Sequence, residues 1–288
     1  MNDLTLQRRF FAEELEAVCK LRSPELVDAF AVVPRERFLR RGPWTVLADS
    51  DFNFTGPART RETPDADPRR VYHNIAVAID PSRQLFNGQP GTLGVWIDAL
   101  NLQPGDRVLH VGCGLGYYTA VMAHCVGSSG RVVGIDVDEE LARGAVQNLA
   151  SIEWVEVRHG DGADIASESF DAILVNAGVT HPHDAWLDAL RPGGRLILPL
   201  TCTMAAMSPI GKGWVLHLSR NGDDFAARTV AMVAIYSAVG LRDSELNDRL
   251  GQAFRRSPFP PIKRLRRDAH EPEATCWLHG NTFCLSTT

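Results

Sequence analysis

The chain has 288 residues, of which 44% are hydrophobic and 23% charged, so it has enough apolar material for a packed core and is not a disordered chain. Its formal net charge of −5 provides no general electrostatic attraction to nucleic acid, and six scattered cysteines do not form a disulfide framework. No apolar run approaches the ~18 residues of a membrane span, and the first residues lack the cationic-then-apolar order of a secretory signal, so we expect a cytoplasmic protein with no membrane partner.

Residues 1–84 predict an N-terminal cap made of helices and a loop. The first helix is indicated by apolar residues that recur at helical spacing, namely Leu6, Phe10, Leu15 and Val18. A second helix is expected between Pro24 and Pro34. The stretch 42–70 is rich in Pro, Asp, Arg and Thr and has no sustained period, so we expect a long loop there.

Residues 85–236 alternate short apolar runs with helical segments. The expected strands are 107–111, 131–135, 154–158, 172–175 and 196–200, and the expected helices are 117–126, 138–150 and one through 186–190. This alternation predicts an α/β fold with a Rossmann-like, doubly wound, mostly parallel sheet. Near the end of this region, Asn221 and Gly222 separate two apolar runs, which predicts a C-terminal antiparallel hairpin with a type I′ turn.

Residues 237–288 predict a C-terminal extension with a short helix at 243–254. Cys276, His279 and Cys284 resemble part of a zinc site, but they provide only three close ligands without a second Cys pair, so we expect a packed tail and no metal. Six basic residues fall between positions 255 and 267: Arg255, Arg256, Lys263, Arg264, Arg266 and Arg267. We expect a solvated face here, with nucleic-acid binding as the alternative.

The pattern that indicates chemistry is the strand 107–111 running into Gly112, Gly114 and Gly116 and then a helix. Closely spaced glycines let a ligand approach the backbone N–H groups. A dinucleotide fingerprint would require glycine at position 117, which is Tyr117. Asp136 ends the second strand, where an acidic residue accepts hydrogen bonds from ribose hydroxyls.

Polar residues also follow the other strands, and ligands of doubly wound sheets bind at the carboxyl ends of the strands. The candidate cofactor-binding residues are therefore Gly112, Cys113, Gly114, Gly116, Tyr117, Asp136, Val137, Asp161, Gly162 and Asn176.

The spacing G-x-G-x-G resembles that of S-adenosylmethionine-dependent methyltransferases. Within them, residues 27–236 resemble the protein-L-isoaspartate O-methyltransferase family. Three segments support the resemblance: Val33-Pro-Arg-Glu-Arg-Phe-Leu39, Gly116-Tyr-Tyr-Thr-Ala120 and Arg191-Pro-Gly-Gly-Arg-Leu-Ile-Leu-Pro199. The resemblance implies a class I methyltransferase fold, S-adenosyl-L-methionine as the cofactor, Asp161 at its adenine amino group, and methylation of a carboxylate on a peptide or protein.

Two departures from the family pattern concern the chemistry. His110 stands where the superfamily usually has an acidic residue, and Gly88 stands where the family has an active-site serine. On the acceptor side the candidates are Asn87, Gly88, Gln89 and His181, and Arg83 is a candidate for holding an anionic acceptor. The alternative for His181 is a turn that precedes a helix.

The missing serine leaves other functions open. One is methylation of a small metabolite or of RNA, and another is a binding protein that keeps the cofactor fold without catalysis. Asn176 resembles the start of an amino-methylating Asn-Pro-Pro-aromatic motif, but Ala177 and Gly178 break that motif.

Overall fold

The computed structural model describes residues 3–48, 59–165, 167–204 and 208–288. The helices are α1 (Asp3–Cys19), α2 (Pro24–Val32), α3 (Pro90–Leu100), α4 (Tyr117–Val126), α5 (Glu139–Leu149), α6 (Asp184–Ala189) and α7 (Ser244–Arg256). The strands are β1 (Thr45–Leu47), β2 (Arg61–Glu62), β3 (Ala76–Asp80), β4 (Leu85–Phe86), β5 (Arg107–Val111), β6 (Arg131–Asp136), β7 (Val155–His159), β8 (Phe170–Val175), β9 (Leu190–Cys202), β10 (Ile210–Asn221), β11 (Asp224–Tyr236), β12 (Arg264–Arg266), β13 (Cys276–His279) and β14 (Cys284–Ser286).

The chain divides into two compact units. The first unit contains residues 1–105 and 113–159, and the second contains residues 106–112 and 160–288. Among the helices of the described residues, none is both long and apolar enough to cross a membrane.

In the first unit, both helices expected before position 34 are confirmed. The α2 helix begins where expected because the Ser23 hydroxyl accepts a hydrogen bond from the Leu26 N–H and Pro24 occupies the first turn. Phe11 of α1 packs edge-on against Phe30 of α2, with ring centroids 6.1 Å apart. Burial of these rings explains why a short helix such as α2 is stable here.

The loop expected over 42–70 is interrupted by regular structure. Strands β1 and β2 are antiparallel and belong to a sheet with the order β2-β1-β3-β4. Thr63 joins them, because its N–H donates to the Trp44 carbonyl and its hydroxyl accepts from the Trp44 N–H. Residues 49–58 lie outside the described residues. The expectation of a continuous loop was wrong, since polar composition hides strands of two or three residues.

The first unit also contains the parallel pair β6–β7 and the helices α4 and α5. The start of α5 is as expected, because the Asp138 carboxylate accepts a hydrogen bond from the Leu141 N–H at 3.0 Å. Trp154 donates its indole N–H to the Ala123 carbonyl on α4 and so fixes the entry to β7.

In the second unit the strands are hydrogen-bonded in the order β13-β14-β12-β11-β10-β9-β8-β5. The pairs β5–β8 and β8–β9 are parallel, and the pairs from β9 outward are antiparallel. The strand expected at 196–200 is longer than predicted. Phe170 pairs with Leu190 and Ala172 with Arg195, so the Pro-Gly-Gly segment 192–194 bulges out of one continuous strand rather than preceding it.

The C-terminal hairpin β10–β11 is confirmed, but its turn is not the expected one. Asn221 pairs with Asp224, so the two loop residues are Gly222 and Asp223. Only Gly222 of the two has a positive φ, at 67°. This pattern is that of a type II′ turn with glycine in its first position rather than of a type I′ turn.

Candidate active site

The glycine loop of the first unit lies between β5 and α4. The carbonyl of Gly116 accepts the first hydrogen bond of α4 from the Ala120 N–H. Gly116 has φ +94°, and a Cβ placed there would lie 2.6 Å from Cδ1 of Leu149 on α5. The third glycine of the motif is therefore needed for the close approach of α4 to α5 as well as for the turn.

Asp136, at the end of β6, holds this loop. One of its carboxylate oxygens accepts the Gly114 N–H at 2.7 Å and the other accepts the Asp138 N–H at 3.0 Å. The residue is 8% exposed, and burial raises the pKa of its carboxyl above the usual value. Because each carboxylate oxygen can accept more than one hydrogen bond, acceptor capacity remains for two ribose hydroxyls.

Cys113, Tyr117 and Val137 are also cofactor candidates, and their surroundings indicate a cofactor less specifically than those of the glycine loop and Asp136. Cys113 is buried against Gly134, and burial raises the pKa of its thiol, so it has none of the thiolate character of a reactive cysteine. The Tyr117 ring is buried between Phe38 and Tyr118. Val137 is 48% exposed. The predicted cofactor contacts of these side chains stay predictions.

The acceptor-side residues 87–89 form the turn between β4 and α3. Asn87 uses its side-chain oxygen to accept the Val77 N–H at 3.1 Å, and the Gln89 amide donates to the Asn74 carbonyl at 2.7 Å. The Gly88 carbonyl accepts a hydrogen bond from the Tyr118 hydroxyl at 3.0 Å. The structure therefore brings the three candidates together, with the side chains of Asn87 and Gln89 engaged in holding the turn.

Arg35 also contributes to this turn, and sequence reasoning gave it no role. Its guanidinium is fully buried and donates to the carbonyls of Val71 and Ile75, each at 2.7 Å. It also reaches the His73 carbonyl and the Asn87 side-chain oxygen, at 3.2 and 3.3 Å. The position of Arg35 inside the motif at 33–39 was the available signal, but nothing in the motif shows what a buried cation would bind.

The proposed role of Arg83 in holding an anionic acceptor does not agree with the structure. Its guanidinium forms ion pairs with the carboxylates of Asp80 and Asp138. These two carboxylates neutralise the positive charge that an acceptor carboxylate would need.

In the second unit, the end of β8 is close to the end of β5. The Asn176 N–H donates to the Val111 carbonyl at 2.8 Å, and the Asn176 side-chain amide reaches the Gly112 carbonyl at 3.4 Å. The Asp161 carboxylate accepts the Ala163 N–H at 2.9 Å, which forms a turn directly after Gly160. The contacts of Asp161, Gly162 and Asn176 with a cofactor stay predictions.

His110 on β5 is fully buried, and burial lowers the pKa of its imidazole to about 3. It is therefore a neutral side chain at physiological pH. The departure from an acidic residue at this position replaces a negative charge by an uncharged ring.

His181 and His183 have different roles. His183 is the N-cap of α6, since its Nδ1 accepts the Ala185 N–H at 3.3 Å. The His181 ring lies next to the Thr180 hydroxyl at 2.9 Å and stacks on Phe283 with centroids 6.1 Å apart. Burial lowers the pKa of His181, so its neutral form is favoured. The helix-capping alternative belongs to His183, and an acceptor-side role for His181 stays a prediction.

Three of the six basic residues between 255 and 267 form ion pairs with carboxylates of the second unit. Arg267 forms ion pairs with Asp184 and Asp188, Arg266 with Asp268 and Glu273, and Arg264 with Asp224. Arg256 donates to the Trp277 carbonyl. The ion pairs leave Arg264, Arg266 and Arg267 less charge for phosphate groups, which favours the expectation of a solvated face.

Replacing Gly88 by Ser is expected to destabilise the first unit by about 1–3 kcal/mol. Gly88 has φ +77°, and a Cβ there would lie 2.8 Å from Cδ2 of Leu93. Urea unfolding measures the loss. The matched control in the same unit is Gly105→Ser, which has φ +90° and an added Cβ in ordinary contact only, 3.8 Å from Oγ of Ser129. An equal loss in both variants would contradict a steric cost at Gly88.

Solved structures share this fold. The chain resembles a protein-L-isoaspartate O-methyltransferase with a TM-score of 0.61 and 23% identity, over 85% of this chain and 69% of the other. A Plasmodium falciparum structure in complex with S-adenosyl-L-homocysteine gives a TM-score of 0.59 at 17% identity, over 80% of this chain and 97% of the other. The fold is that of class I S-adenosylmethionine-dependent methyltransferases.

The family follows from the sequence comparisons. Residues 58–212 match the family model described as protein-L-isoaspartate(D-aspartate) O-methyltransferase. The protein-L-isoaspartate O-methyltransferase of Methylorubrum extorquens is 32% identical over 230 residues, which cover 77% of this chain and 85% of that protein. The chain belongs to the protein-L-isoaspartate(D-aspartate) O-methyltransferase family.

Proposed function

We propose that this chain transfers the methyl group of S-adenosylmethionine to a carboxylate oxygen of a peptide or protein, and that Asp136 and the glycine loop of the first unit bind the cofactor. The observation that carries the proposal is the hydrogen bond from the Gly114 N–H to the Asp136 carboxylate. It joins the loop to a buried carboxylate with acceptor capacity for ribose hydroxyls. Family membership supports the reaction type.

The chemistry asks for alignment rather than for acid–base catalysis. The bound cofactor supplies a methyl group on a sulfonium, and an ionised carboxylate oxygen can attack that carbon while the carbon–sulfur bond breaks. No proton is transferred in this step.

The turn at residues 87–89, on the proposed acceptor side, favours binding of the acceptor through backbone groups rather than side chains. At Gly88 there is no side chain, and Asn87 and Gln89 use theirs within the turn. We therefore infer that recognition of the acceptor differs from that of relatives with a serine at this place, and that selectivity for isoaspartyl over other carboxylates is reduced.

The test is transfer of a tritiated methyl group to an isoaspartyl peptide and to its aspartyl twin. We expect base-labile label, as a methyl ester requires, with less discrimination between the two peptides than a serine-containing relative shows. Base-stable label on either peptide, or label on RNA instead, would contradict carboxylate methylation. Strong label on the isoaspartyl peptide alone would contradict reduced selectivity.

A second candidate, a cofactor-binding protein without catalysis, is favoured by one observation: Gly88 has no hydroxyl at the family's serine position. Calorimetric titration with S-adenosyl-L-homocysteine distinguishes the two. Tight binding without methyl transfer to any carboxylate peptide would support this second candidate.

A further inference from the structure

We propose that the second unit binds one Zn²⁺ through His270, Cys276, His279 and Cys284. One ligand atom from each of these four residues lies within 4.8 Å of the other three. Two imidazole nitrogens and two thiolate sulfurs are a ligand set that zinc prefers in structural sites. The expectation of no metal, which rested on three ligands close in sequence, is therefore replaced.

The distances agree with a tetrahedral site. Zinc–nitrogen bonds of about 2.0–2.1 Å and zinc–sulfur bonds of about 2.3 Å place neighbouring ligand atoms of a tetrahedron roughly 3.3–3.8 Å apart. The Cys276 sulfur and Nε2 of His270 are 3.5 Å apart. Only small side-chain adjustments are then needed to bring all four atoms to bonding distance.

The sheet brings these ligands together. Cys276 and His279 are the two ends of β13, and Cys284 begins β14, where it pairs with His279 across the antiparallel ladder. His270 comes from the segment between β12 and β13. Its distance of six residues from Cys276 matches no common zinc spacing, which explains why the sequence did not indicate the fourth ligand.

The surroundings of the ligands are those of a metal site. Nδ1 of His270 faces the Asp268 carbonyl at 2.9 Å, which fixes that nitrogen as the donor and leaves Nε2 as the ligand atom towards Cys276. The Glu273 N–H points at the Cys276 sulfur at 3.4 Å, as it would stabilise a thiolate.

His279 independently indicates a metal ion at this place. Its Nδ1 is buried and has no hydrogen-bond partner among the residues that the structure describes. A buried polar atom without a partner costs free energy, and coordination to a metal would remove that cost. Cys284 is also fully buried and is a thiol rather than half of a disulfide.

The proposed ion would have a structural role. Four protein ligands leave no open position for water or substrate, and two thiolates balance the charge of Zn²⁺. The ion would close the turn between β13 and β14, in which the Gly280 N–H donates to the Phe283 carbonyl at 2.8 Å. Phe283 stacks on His181, so the zinc site would also hold the ring against the acceptor-side candidate.

The first measurement needs no variant. The full chain is purified under reducing conditions without a polyhistidine tag, and its zinc content is determined by inductively coupled plasma mass spectrometry. We expect close to one zinc per chain, and uptake of Co²⁺ after zinc removal with the visible absorption bands of tetrahedral cobalt bound to thiolates. A reduced chain that holds no zinc and takes up no cobalt would overturn the proposal.

Variants then assign the ligands. His270→Ala and Cys276→Ser are expected to lose at least half of the bound zinc and most of the cobalt absorption. Cys202→Ser is the matched control in the same unit and is expected to retain both. If His270→Ala and Cys276→Ser retain the zinc content of Cys202→Ser, the proposed ligand set is wrong. A Cys276–Cys284 disulfide in the protein under reducing conditions would contradict the proposal as well.

Discussion

Replacing Arg35 by Met is expected to lower the free energy of unfolding by roughly 3–5 kcal/mol. The buried guanidinium donates to the carbonyls of Val71 and Ile75 at 2.7 Å, and Met provides no donor of any kind. Each buried carbonyl that loses its partner costs about 1–3 kcal/mol. The melting temperature should fall by about 10 °C, which thermal unfolding followed by circular dichroism measures.

Arg37→Met is the matched control for this variant. Arg37 belongs to the same short 3-10 helix, Arg35–Phe38, but its side chain is exposed. The control is expected to change the free energy of unfolding by no more than about 0.5 kcal/mol. Equal effects of the two substitutions would contradict the buried hydrogen-bond network. Arg35→Lys should recover only part of the loss, because an ammonium cannot match the planar fork that spans the carbonyls.

The hydrogen bonds of Arg35 also extend to the turn at residues 87–89. The guanidinium reaches the Asn87 side-chain oxygen at 3.3 Å, and the same oxygen accepts the Val77 N–H. The segment 33–39 therefore supports the turn at residues 87–89, whose role on the acceptor side stays a prediction, through the buried Arg35.

Much of the fold could be predicted because strong local signals determine it. The helices α4 and α5 and the strands β5 and β6 lie where apolar periodicity and the caps Gly116 and Asp138 indicate. The signals failed where hydrogen bonds to distant residues decide the structure. Thr63 joins β1 to β2 across 19 residues, and a Pro-Gly-Gly segment became a bulge because β8 pairs with β9 on both sides of it.

In the candidate site, too, local sequence signals predict some features, while contacts between distant residues decide others. Asp136 was predicted from its place after a strand; the structure shows that its carboxylate accepts the Gly114 N–H, and its contact with a ribose stays a prediction. The engagement of Asn87 and Gln89 within their own turn could not be foreseen, because their partners Val77 and Asn74 lie on another segment. His270 was missed for a similar reason, since only the pairing of β13 with β14 brings the other three ligands close to it.

Replacing Asp136 by Ala is expected to weaken cofactor binding about a hundredfold, because two hydrogen bonds to an ionised carboxylate together contribute about 3 kcal/mol. The variant also removes the acceptor of the Gly114 N–H, which loosens the loop itself. Calorimetric titration with S-adenosyl-L-homocysteine measures the dissociation constant.

Asp98→Ala is the matched control for this variant. Asp98 is also 8% exposed and accepts two backbone N–H groups, from Arg22 and Ser23, but it lies on α3. We expect it to lose stability and keep its affinity, and equal affinities in the two variants would contradict the assignment of Asp136.

The pH dependence of binding provides a second check on Asp136. Burial raises the pKa of this carboxyl in the free protein, so a proton binds there at a higher pH than on an ordinary aspartate. The ionised form accepts ribose hydroxyls, and protonation removes that capacity. Affinity should therefore be complete above this pKa and fall as the pH is lowered through it, in the wild type but not in Asp136→Asn. Because the amide introduced by Asp136→Asn would turn an N–H group towards the backbone N–H of either Gly114 or Asp138, the variant should bind weakly at every pH. A wild-type affinity that stays constant on acidification would place the ribose on another residue.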